Sequence, residues 1–163
     1  MASQSISTVC NFCENEVSQS DNYCSNCGTL FLENKSCENH PSKKAKGVCL
    51  ICFKKLCTDC GLFVNEVFLC EEHSSYEIYE GMAKMFGSSD VLQINYINEI
   101  LEAEGFHPFI YERKTSPLSL GGVDYSLFRA SGEYLGHIIN ESKIMLPLTE
   151  VLKGEEIIKD LDL

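Results

Sequence analysis

The chain has 163 residues, ten cysteines, a formal net charge of −11 and a hydrophobic fraction of 44%. A charged fraction of 23% beside that hydrophobic fraction is ordinary for a folded protein and excludes a chain that is disordered throughout. The length fits one domain of about 150 residues or a few smaller ones. The acidic balance disfavours general nucleic-acid binding, which needs lysine and arginine to neutralise phosphates.

The chain begins Met-Ala-Ser-Gln-Ser-Ile-Ser-Thr-Val, without the basic and apolar segments of a secretory signal. Its apolar runs, as at residues 48–52, are about five residues long, whereas a membrane-spanning helix needs about 20. We therefore expect a cytoplasmic protein that does not enter a membrane. Thiols stay reduced in the cytoplasm, so a cysteine array there favours metal binding over disulfide formation.

Composition changes sharply along the chain. All ten cysteines lie between Cys10 and Cys70, and the last 93 residues contain none. Residues 1–75 carry six lysines and nine acidic residues, a net −3, whereas residues 76–163 carry seven basic and fifteen acidic residues, a net −8. This change predicts a domain boundary, with a linker over residues 75–82.

Every cysteine belongs to a pair of ligand-type residues separated by two others. The pairs are Cys10/Cys13, Cys24/Cys27, Cys37/His40, Cys49/Cys52, Cys57/Cys60 and Cys70/His73. A turn of this length directs both side chains at one ion, and two such pairs complete a tetrahedral zinc shell. The twelve ligands therefore predict three structural zinc ions. His107 and His137 lie outside the array, and we expect them to be packing or surface residues.

The first two pairs, Cys10/Cys13 and Cys24/Cys27, are followed at once by Gly28. The missing Cβ at that position lets backbone amides turn toward the sulfur without a clash. Residues 8–31 resemble a short zinc ribbon, and the resemblance implies two knuckles at the tips of β-hairpins. A rubredoxin-like iron site would use the same four thiolates, so the metal of this site is left open between zinc and iron.

The other four pairs run in the order Cys-His, Cys-Cys, Cys-Cys, Cys-His from Cys37 to His73. The segments that carry them are Cys-Glu-Asn-His-Pro, Gly-Val-Cys-Leu-Ile-Cys, Leu-Cys-Thr-Asp-Cys and Phe-Leu-Cys-Glu-Glu-His. On these segments, residues 35–75 resemble a B-box zinc finger of small bacterial and archaeal proteins. Animal B-boxes usually end in two histidines, so we infer no ubiquitin-pathway role.

The B-box resemblance implies a cross-brace, in which alternate pairs share an ion. One ion would then be bound by Cys37, His40, Cys57 and Cys60, and the other by Cys49, Cys52, Cys70 and His73. Sequential pairing would bind the same number of ions, and the sequence leaves both connectivities open.

All three predicted shells can be filled by four protein ligands, whereas a catalytic zinc keeps one position open for water. We therefore expect a non-enzymatic protein. Modules of about 25 to 40 residues bury too little apolar surface to fold alone, so metal must stabilise residues 8–75.

Beyond the linker, the sequence predicts a strand over residues 83–87 and a helix that Asp90 caps and Gly105 closes. Apolar residues recur in this helix at three- and four-residue spacing, at Val91, Ile94, Ile97 and Leu101. Glutamates at 99, 102 and 104 fall mainly on its other side.

The predicted elements that follow are a strand over 108–112, a loop over 115–122, a hairpin of residues 123–130 and 134–140 around residues 131–132, and a strand over 143–146. A closing helix after Pro147 contains Gly154, which favours close packing although it costs about 1 kcal/mol against alanine. This helix is predicted to bury Val151, Leu152, Ile157, Ile158 and Leu161.

The order strand, helix, strands, helix predicts an α+β domain over residues 82–163, one sheet with both helices on one face. Ile-Leu-Glu-Ala-Glu-Gly-Phe at residues 100–106 and Ile-Met-Leu-Pro at residues 144–147 resemble the small domain of bacterial signal-transducing proteins that are compared with PII regulators. The resemblance implies a ferredoxin-like sheet with two helices and a regulatory role. Residues 115–142 are longer than that family's pattern, so the sheet order there is left open.

Two functions are in competition. The first is a protein-interaction or signal-transducing adaptor with an unidentified protein partner and with homo-oligomer formation through the α+β sheet. The second is a nucleic-acid-associated zinc-ribbon protein of transcription or translation, with Phe12, Tyr23 and Phe31 stacked on bases, although few basic residues lie near them in sequence. Lysines at 43, 44, 46, 54 and 55 form a candidate basic face. Ten thiolates and three divalent ions would move the formal charge from −11 to −15, which favours the first function.

Overall fold

The computed structural model describes residues 7–112, 133–134, 137–138 and 141–161. The chain divides into two compact units, Met1–Gly81 and Met82–Leu163. The first unit contains all ten cysteines, and both described α-helices lie in the second. The mixed α+β class predicted from the sequence is confirmed.

The described strands of the cysteine-rich unit form antiparallel hairpins. These are β1 (Ser7–Val9) with β2 (Glu16–Ser18), β3 (Gly47–Val48) with β4 (Lys55–Leu56), and β5 (Gly61–Val64) with β6 (Val67–Cys70). The β1–β2 and β3–β4 hairpins each enclose a Cys-x2-Cys pair, so strand pairing places two ligands at each hairpin tip. Asn65 and Glu66 join β5 to β6 with φ of 46° and 67°, as a left-handed hairpin turn requires.

Backbone hydrogen bonds join the ribbon-like segment to the B-box-like segment. The Val48 amide donates to the Gly28 carbonyl at 2.8 Å, and the Phe68 amide donates to the Cys27 carbonyl at 2.8 Å. Gly28 has a φ of +79°, and a Cβ at this position would clash with the Val48 carbonyl oxygen. The two segments therefore form one body, and glycine is required where they meet.

Phe68 is the centre of a small apolar core in the cysteine-rich unit and is 1% exposed. Its ring fills the space left by two glycines, since a Cβ would lie 2.5 Å from the ring at Gly47 and 2.6 Å from it at Gly61. Phe63 packs edge-on against Phe68 with ring centroids 5.2 Å apart, and Phe12 of the ribbon-like segment stacks on Phe63 at 4.3 Å. This row of aromatic rings adds a second contact between the two segments.

From residue 78 onward the elements are β7 (Ile78–Tyr79), β8 (Met82–Ser88), α1 (Val91–Ala103), β9 (Phe109–Glu112), β10 (Glu133–Tyr134), β11 (His137–Ile138), β12 (Ser142–Pro147), a 3-10 helix (Leu148–Glu150) and α2 (Val151–Asp160). One sheet has the strand order β7-β8-β12-β9, and β10 pairs separately with β11. The short strand β7 lies within the segment predicted as a linker, which is therefore partly structured.

Strand β12 pairs antiparallel with both β8 and β9, so β8 and β9 run parallel with β12 between them. Helix α1 connects β8 to β9, which makes this a split β-α-β unit. Ile144 and Leu146 of β12 are fully buried, and side chains of both helices pack against them. The predicted placement of both helices on one face of the sheet is confirmed.

Helix α1 begins and ends as predicted. The Asp90 carboxylate accepts hydrogen bonds from the amides of Leu92 at 2.8 Å and Gln93 at 3.4 Å. At the other end Gly105 has a φ of +84°, and the Phe106 amide donates to the Leu101 carbonyl at 3.0 Å. These contacts complete a Schellman motif, which satisfies carbonyls that the helix leaves open.

In helix α2 the predicted close packing at Gly154 is confirmed, since a Cβ there would clash with the Leu146 side chain. The prediction that Leu152 is buried is wrong, because its side chain is 40% exposed. The stripe of α2 that faces the sheet contains Val151, Gly154 and Ile158, at three- and four-residue spacing. Leu152 falls outside that stripe.

The predicted hairpin in the middle of this unit is only partly described. The loop over 115–122, the strand over 123–130 and the turn at 131–132 lie outside the described residues. The single strand predicted over 134–140 is wrong, because Tyr134 pairs with His137 and the chain reverses between them. Neither helix in the described parts of the chain has the length and hydropathy to span a membrane.

Candidate metal centres

The twelve predicted ligands come together in three groups of four. These are Cys10, Cys13, Cys24 and Cys27; Cys37, His40, Cys57 and Cys60; and Cys49, Cys52, Cys70 and His73. We call them the ribbon site, the central site and the inner site. Within each group the ligand atoms lie within 4.8 Å of one another. The last two groups follow the cross-brace connectivity, so the sequential alternative is excluded.

The sulfur spacings of the ribbon site fit a tetrahedral ion. Zinc–sulfur bonds of about 2.3 Å place two thiolates of a tetrahedral shell about 3.8 Å apart. Sγ of Cys10 lies 3.7 Å from Sγ of Cys27, and Sγ of Cys13 lies 3.5 Å from Sγ of Cys24. A disulfide would need about 2.05 Å, and all ten cysteines are free.

The central and inner sites each present one histidine Nδ1 atom to their thiols. In the inner site, Nδ1 of His73 lies 3.1 Å from Sγ of Cys70 and 3.5 Å from Sγ of Cys49. In the central site, Nδ1 of His40 lies 3.1 Å from Sγ of Cys60 and 3.6 Å from Sγ of Cys57. Zinc bonds of about 2.3 Å to sulfur and about 2.0–2.1 Å to nitrogen give a spacing of about 3.6 Å.

A common backbone turn shapes three of the cysteine knuckles. In each, the amide four residues after the first cysteine donates to that cysteine's carbonyl: Glu14 to Cys10 at 2.9 Å, Gly28 to Cys24 at 2.8 Å, and Phe53 to Cys49 at 2.8 Å. The donor residue has a φ of 60°, 79° and 60° in these three turns. Glycine adopts this conformation without strain, so the sequence indicated it at Gly28 but not at Glu14 or Phe53.

The three sites differ in their access to solvent. In the inner site Cys49 is 0% exposed, Cys70 is 5% exposed and His73 is 9% exposed. In the central site His40 is exposed and Cys60 is half-buried. The central site is therefore the more accessible half of the cross-brace.

The thiol pKa values are spread by burial and by local hydrogen bonds. Burial raises the pKa of Cys27 and that of Cys52 to about 12. For Cys13 burial also acts to raise the pKa, but hydrogen bonds from Asn15 and other neighbours outweigh it and lower the pKa to about 6. At neutral pH the ribbon site and the inner site therefore each include a thiol that must lose a proton before it can bind a cation.

Polar contacts around the ligands were not evident from the spacing of the cysteines. The Thr29 hydroxyl lies 3.1 Å from Sγ of Cys27, and Nδ2 of Asn15 lies 3.6 Å from Sγ of Cys13. Such neighbours orient ligands and stabilise negative charge on sulfur. The only sequence signal was the presence of residues with side-chain hydrogen-bond donors within two positions of a cysteine.

The donor sets fit three structural zinc ions. Each cluster supplies four soft or borderline ligands at tetrahedral spacing, enough to fill the shell of one zinc ion. When bound, zinc would hold each set of ligands together and supply stability.

His107, the remaining histidine whose side chain the structure describes, takes no part in these clusters. His107 is bound to Glu150, which accepts from its backbone amide at 2.8 Å and lies 2.8 Å from its Nδ1 atom. His137 lies in β11, as the strand interpretation expects. Among the described residues, the three clusters above are the groups with metal-binding geometry.

Comparisons with protein families, curated proteins and solved structures give no match to this chain.

Proposed function

We propose that this chain is a non-enzymatic zinc-binding adaptor, whose cysteine-rich unit presents a rigid surface to a protein partner. The observation that carries the proposal is that each of the three clusters has four ligands of its own. A cluster with a full ligand set stabilises the backbone and leaves no open site for catalysis.

The module types are part of the proposal. The hairpin knuckle of the first cluster supports a zinc ribbon, and the cross-brace supports a B-box-like module. The split β-α-β arrangement of β8, α1, β9 and β12 supports a ferredoxin-like domain with a regulatory role, in which self-association occurs through the sheet. Ten free cysteines suit a reducing compartment, which supports a cytoplasmic location.

The metal content is tested first, by native mass spectrometry of the full chain produced in zinc-supplemented medium. We expect three zinc ions per chain. Iron in the ribbon site would change the metal assignment and leave the proposed function intact, whereas two ions or fewer would contradict the structural role of all three clusters.

The partner class is tested with the zinc-loaded full chain as bait in nuclease-treated extract, followed by calorimetry with the purified partner. We expect a partner that binds wild-type chain and the surface variant Lys153→Ala equally, and that fails to bind Cys49→Ser, in which the inner site is broken. If all complexes vanish on nuclease treatment, and an RNA or DNA oligonucleotide binds at low salt, the nucleic-acid function replaces the adaptor function.

A further inference from the structure

A groove with a volume of about 490 Å³ lies on the cysteine-rich unit. None of the twelve metal ligands lines it, and its walls include Phe31, Leu32, Lys44 and Lys46. We call it the Phe31 groove. Its size is within the range of about 300–1,000 Å³ that is usual for ligand sites.

The Phe31 groove has an apolar wall, residues 30–33, and a basic wall, residues 44–46. Main-chain hydrogen bonds hold the two walls next to each other. The Leu30 amide donates to the Lys46 carbonyl at 3.4 Å, and the Ala45 amide donates to the Lys35 carbonyl at 2.8 Å. Alternate residues of an extended segment point to the same side, so Lys44 and Lys46 both reach the groove. The sequence concealed this arrangement, because more than ten residues separate the lysines from Phe31.

The apolar wall is partly exposed to solvent. Phe31 is 36% exposed and Leu32 is 37% exposed. The Phe31 amide donates to the Asn22 carbonyl at 2.9 Å, which fixes this segment beside the residues that precede Cys24. Two neighbouring large apolar side chains therefore offer partly exposed surface to a ligand in this groove.

The basic wall carries two positive charges, and Glu33 is the acidic residue among those that line the groove. Within the described parts of the chain, Lys44 and Lys46 form no ion pair, whereas the adjacent Lys43 is paired with Asp59. Two free ammonium groups beside an aromatic ring suit a ligand that is anionic and apolar at once. This local charge contrasts with the formal net charge of −11 for the chain.

Charge also distinguishes a polynucleotide from a protein ligand. A row of phosphates through the groove would meet Glu33, which also lines it, and would approach a chain whose formal charge is −15 once zinc is bound. A peptide can place a carboxylate against the lysines and an apolar side chain against Phe31, with no charge near Glu33. The observations therefore favour a peptide.

We propose that the Phe31 groove binds an extended protein segment in which acidic and large apolar side chains are adjacent. The inference rests on the proposed adaptor function and names the chemistry of its partner. Carboxylates would pair with Lys44 and Lys46, and the apolar side chain would pack on Phe31 and Leu32.

The test is a peptide-display selection against the zinc-loaded full chain, with the double variant Lys44→Ala/Lys46→Ala as counter-selection. We expect enrichment of peptides that carry Asp or Glu next to Leu, Ile or Phe. An enriched peptide with a fluorescent label should bind the double variant, and separately Phe31→Ala, at least about tenfold more weakly by anisotropy. Lys54→Ala removes one lysine charge outside the groove and should change the affinity less than about twofold.

Both lysines are exposed, and native mass spectrometry of each variant would verify three bound zinc ions. Three results would each overturn the groove assignment: enrichment of peptides without carboxylates, no enrichment, or equal binding to the double variant. None of them would decide the adaptor function, which is tested separately by the capture of a protein partner. Lysine-dependent binding of an oligouridine 12-mer in place of any peptide would overturn both proposals.

Discussion

The two units of this chain are stabilised by different physical means. Met82–Leu163 has an apolar core in which Ile94, Ile97 and Leu101 of α1 and two residues of β12 are each at most 1% exposed. Met1–Gly81 has described strands of two to four residues, one central phenylalanine and three clusters of metal ligands. Side-chain packing in the apolar core determines the fold of the second unit. The geometry of the metal-ligand clusters determines much of the fold of the first unit.

This difference explains why the cysteine-rich unit can leave large apolar side chains at its surface. Bound zinc would fix its backbone at three clusters, so Phe12, Phe31 and Phe53, which are 36–48% exposed, are not all needed for a core. In the second unit a buried side chain cannot be moved without loss of packing. A rigid surface that does not depend on a large core suits a binding module.

Chelation is the strongest test of this comparison. Structural zinc contributes about 10–16 kcal/mol of apparent binding energy in finger peptides, which exceeds the net stability of about 5–15 kcal/mol of most domains. A strong chelator should therefore unfold residues 7–75, which contain all twelve ligands, and leave the second unit folded. In ¹H–¹⁵N spectra, amide signals of the first unit should collapse to unfolded positions and return when zinc is added back. Loss of both sets of signals, or of neither, would contradict separate stabilisation.

Acid, like a chelator, should destabilise the cysteine-rich unit more than the second unit. Protons compete with zinc for thiolates, so metal-dependent stability is present at high pH and is lost as pH falls. Cys27 and Cys52, whose pKa burial raises to about 12 in the absence of metal, must each lose a proton to bind zinc at neutral pH. Zinc affinity should fall by about tenfold per pH unit for every proton displaced.

The measurement is calorimetry of zinc binding to metal-free chain in buffers with different ionisation enthalpies, which counts the protons released. We expect net proton release at neutral pH. Zinc affinity that does not change between about pH 8 and about pH 5 would show that the thiols are not the ligands.

The ligands and the helix boundaries could be predicted from the sequence because each depends on local chemistry. A two-residue spacing suffices to bring Cys10 and Cys13 to one ion, and Asp90 and Gly105 act within one turn of their helix. The cross-brace required more, because sequential and alternate pairing satisfy the same spacing. Only the pairing of distant hairpins distinguishes them.

Two features that the sequence did not predict depend on contacts between distant segments. The Phe31 groove forms where residues 30–33 meet residues 44–46. Its lysines and its aromatic ring are far apart in the sequence, so the sequence alone did not bring them together. Leu152 was assigned to the core because it is apolar, but the face of α2 that packs is set by the approach to Leu146 at Gly154.

Gly154→Ala tests how tightly the second unit is packed. A methyl group at this position would clash with Leu146, which is fully buried and cannot move without displacing its neighbours. Overpacking lowers the free energy of unfolding by about 1–3 kcal/mol. The better helix propensity of alanine offsets about 1 kcal/mol of this loss. We expect a net loss of up to about 2 kcal/mol in urea unfolding of this unit.

The control for Gly154→Ala is a double-mutant cycle with Leu146→Ala. If the clash is the cause, the double variant should lose less stability than the sum of the two single variants. Additive losses would indicate that the methyl group is accommodated elsewhere. Zinc content should remain at three ions in every variant, because no metal ligand is in this unit.

Asp90→Ala is the smallest test and examines a single contact at the start of α1. Its carboxylate accepts from the Leu92 amide at 2.8 Å, and loss of such a cap costs about 1 kcal/mol. The matched control is Asp90→Asn, which keeps an acceptor oxygen and should retain most of the stability. The rates of amide hydrogen exchange at Ile97 and Leu101, measured in the zinc-loaded full chain, report the stability of this unit. Faster exchange in the alanine variant alone would establish the cap, whereas equal acceleration in both would assign the effect to the lost charge near the helix N-terminus.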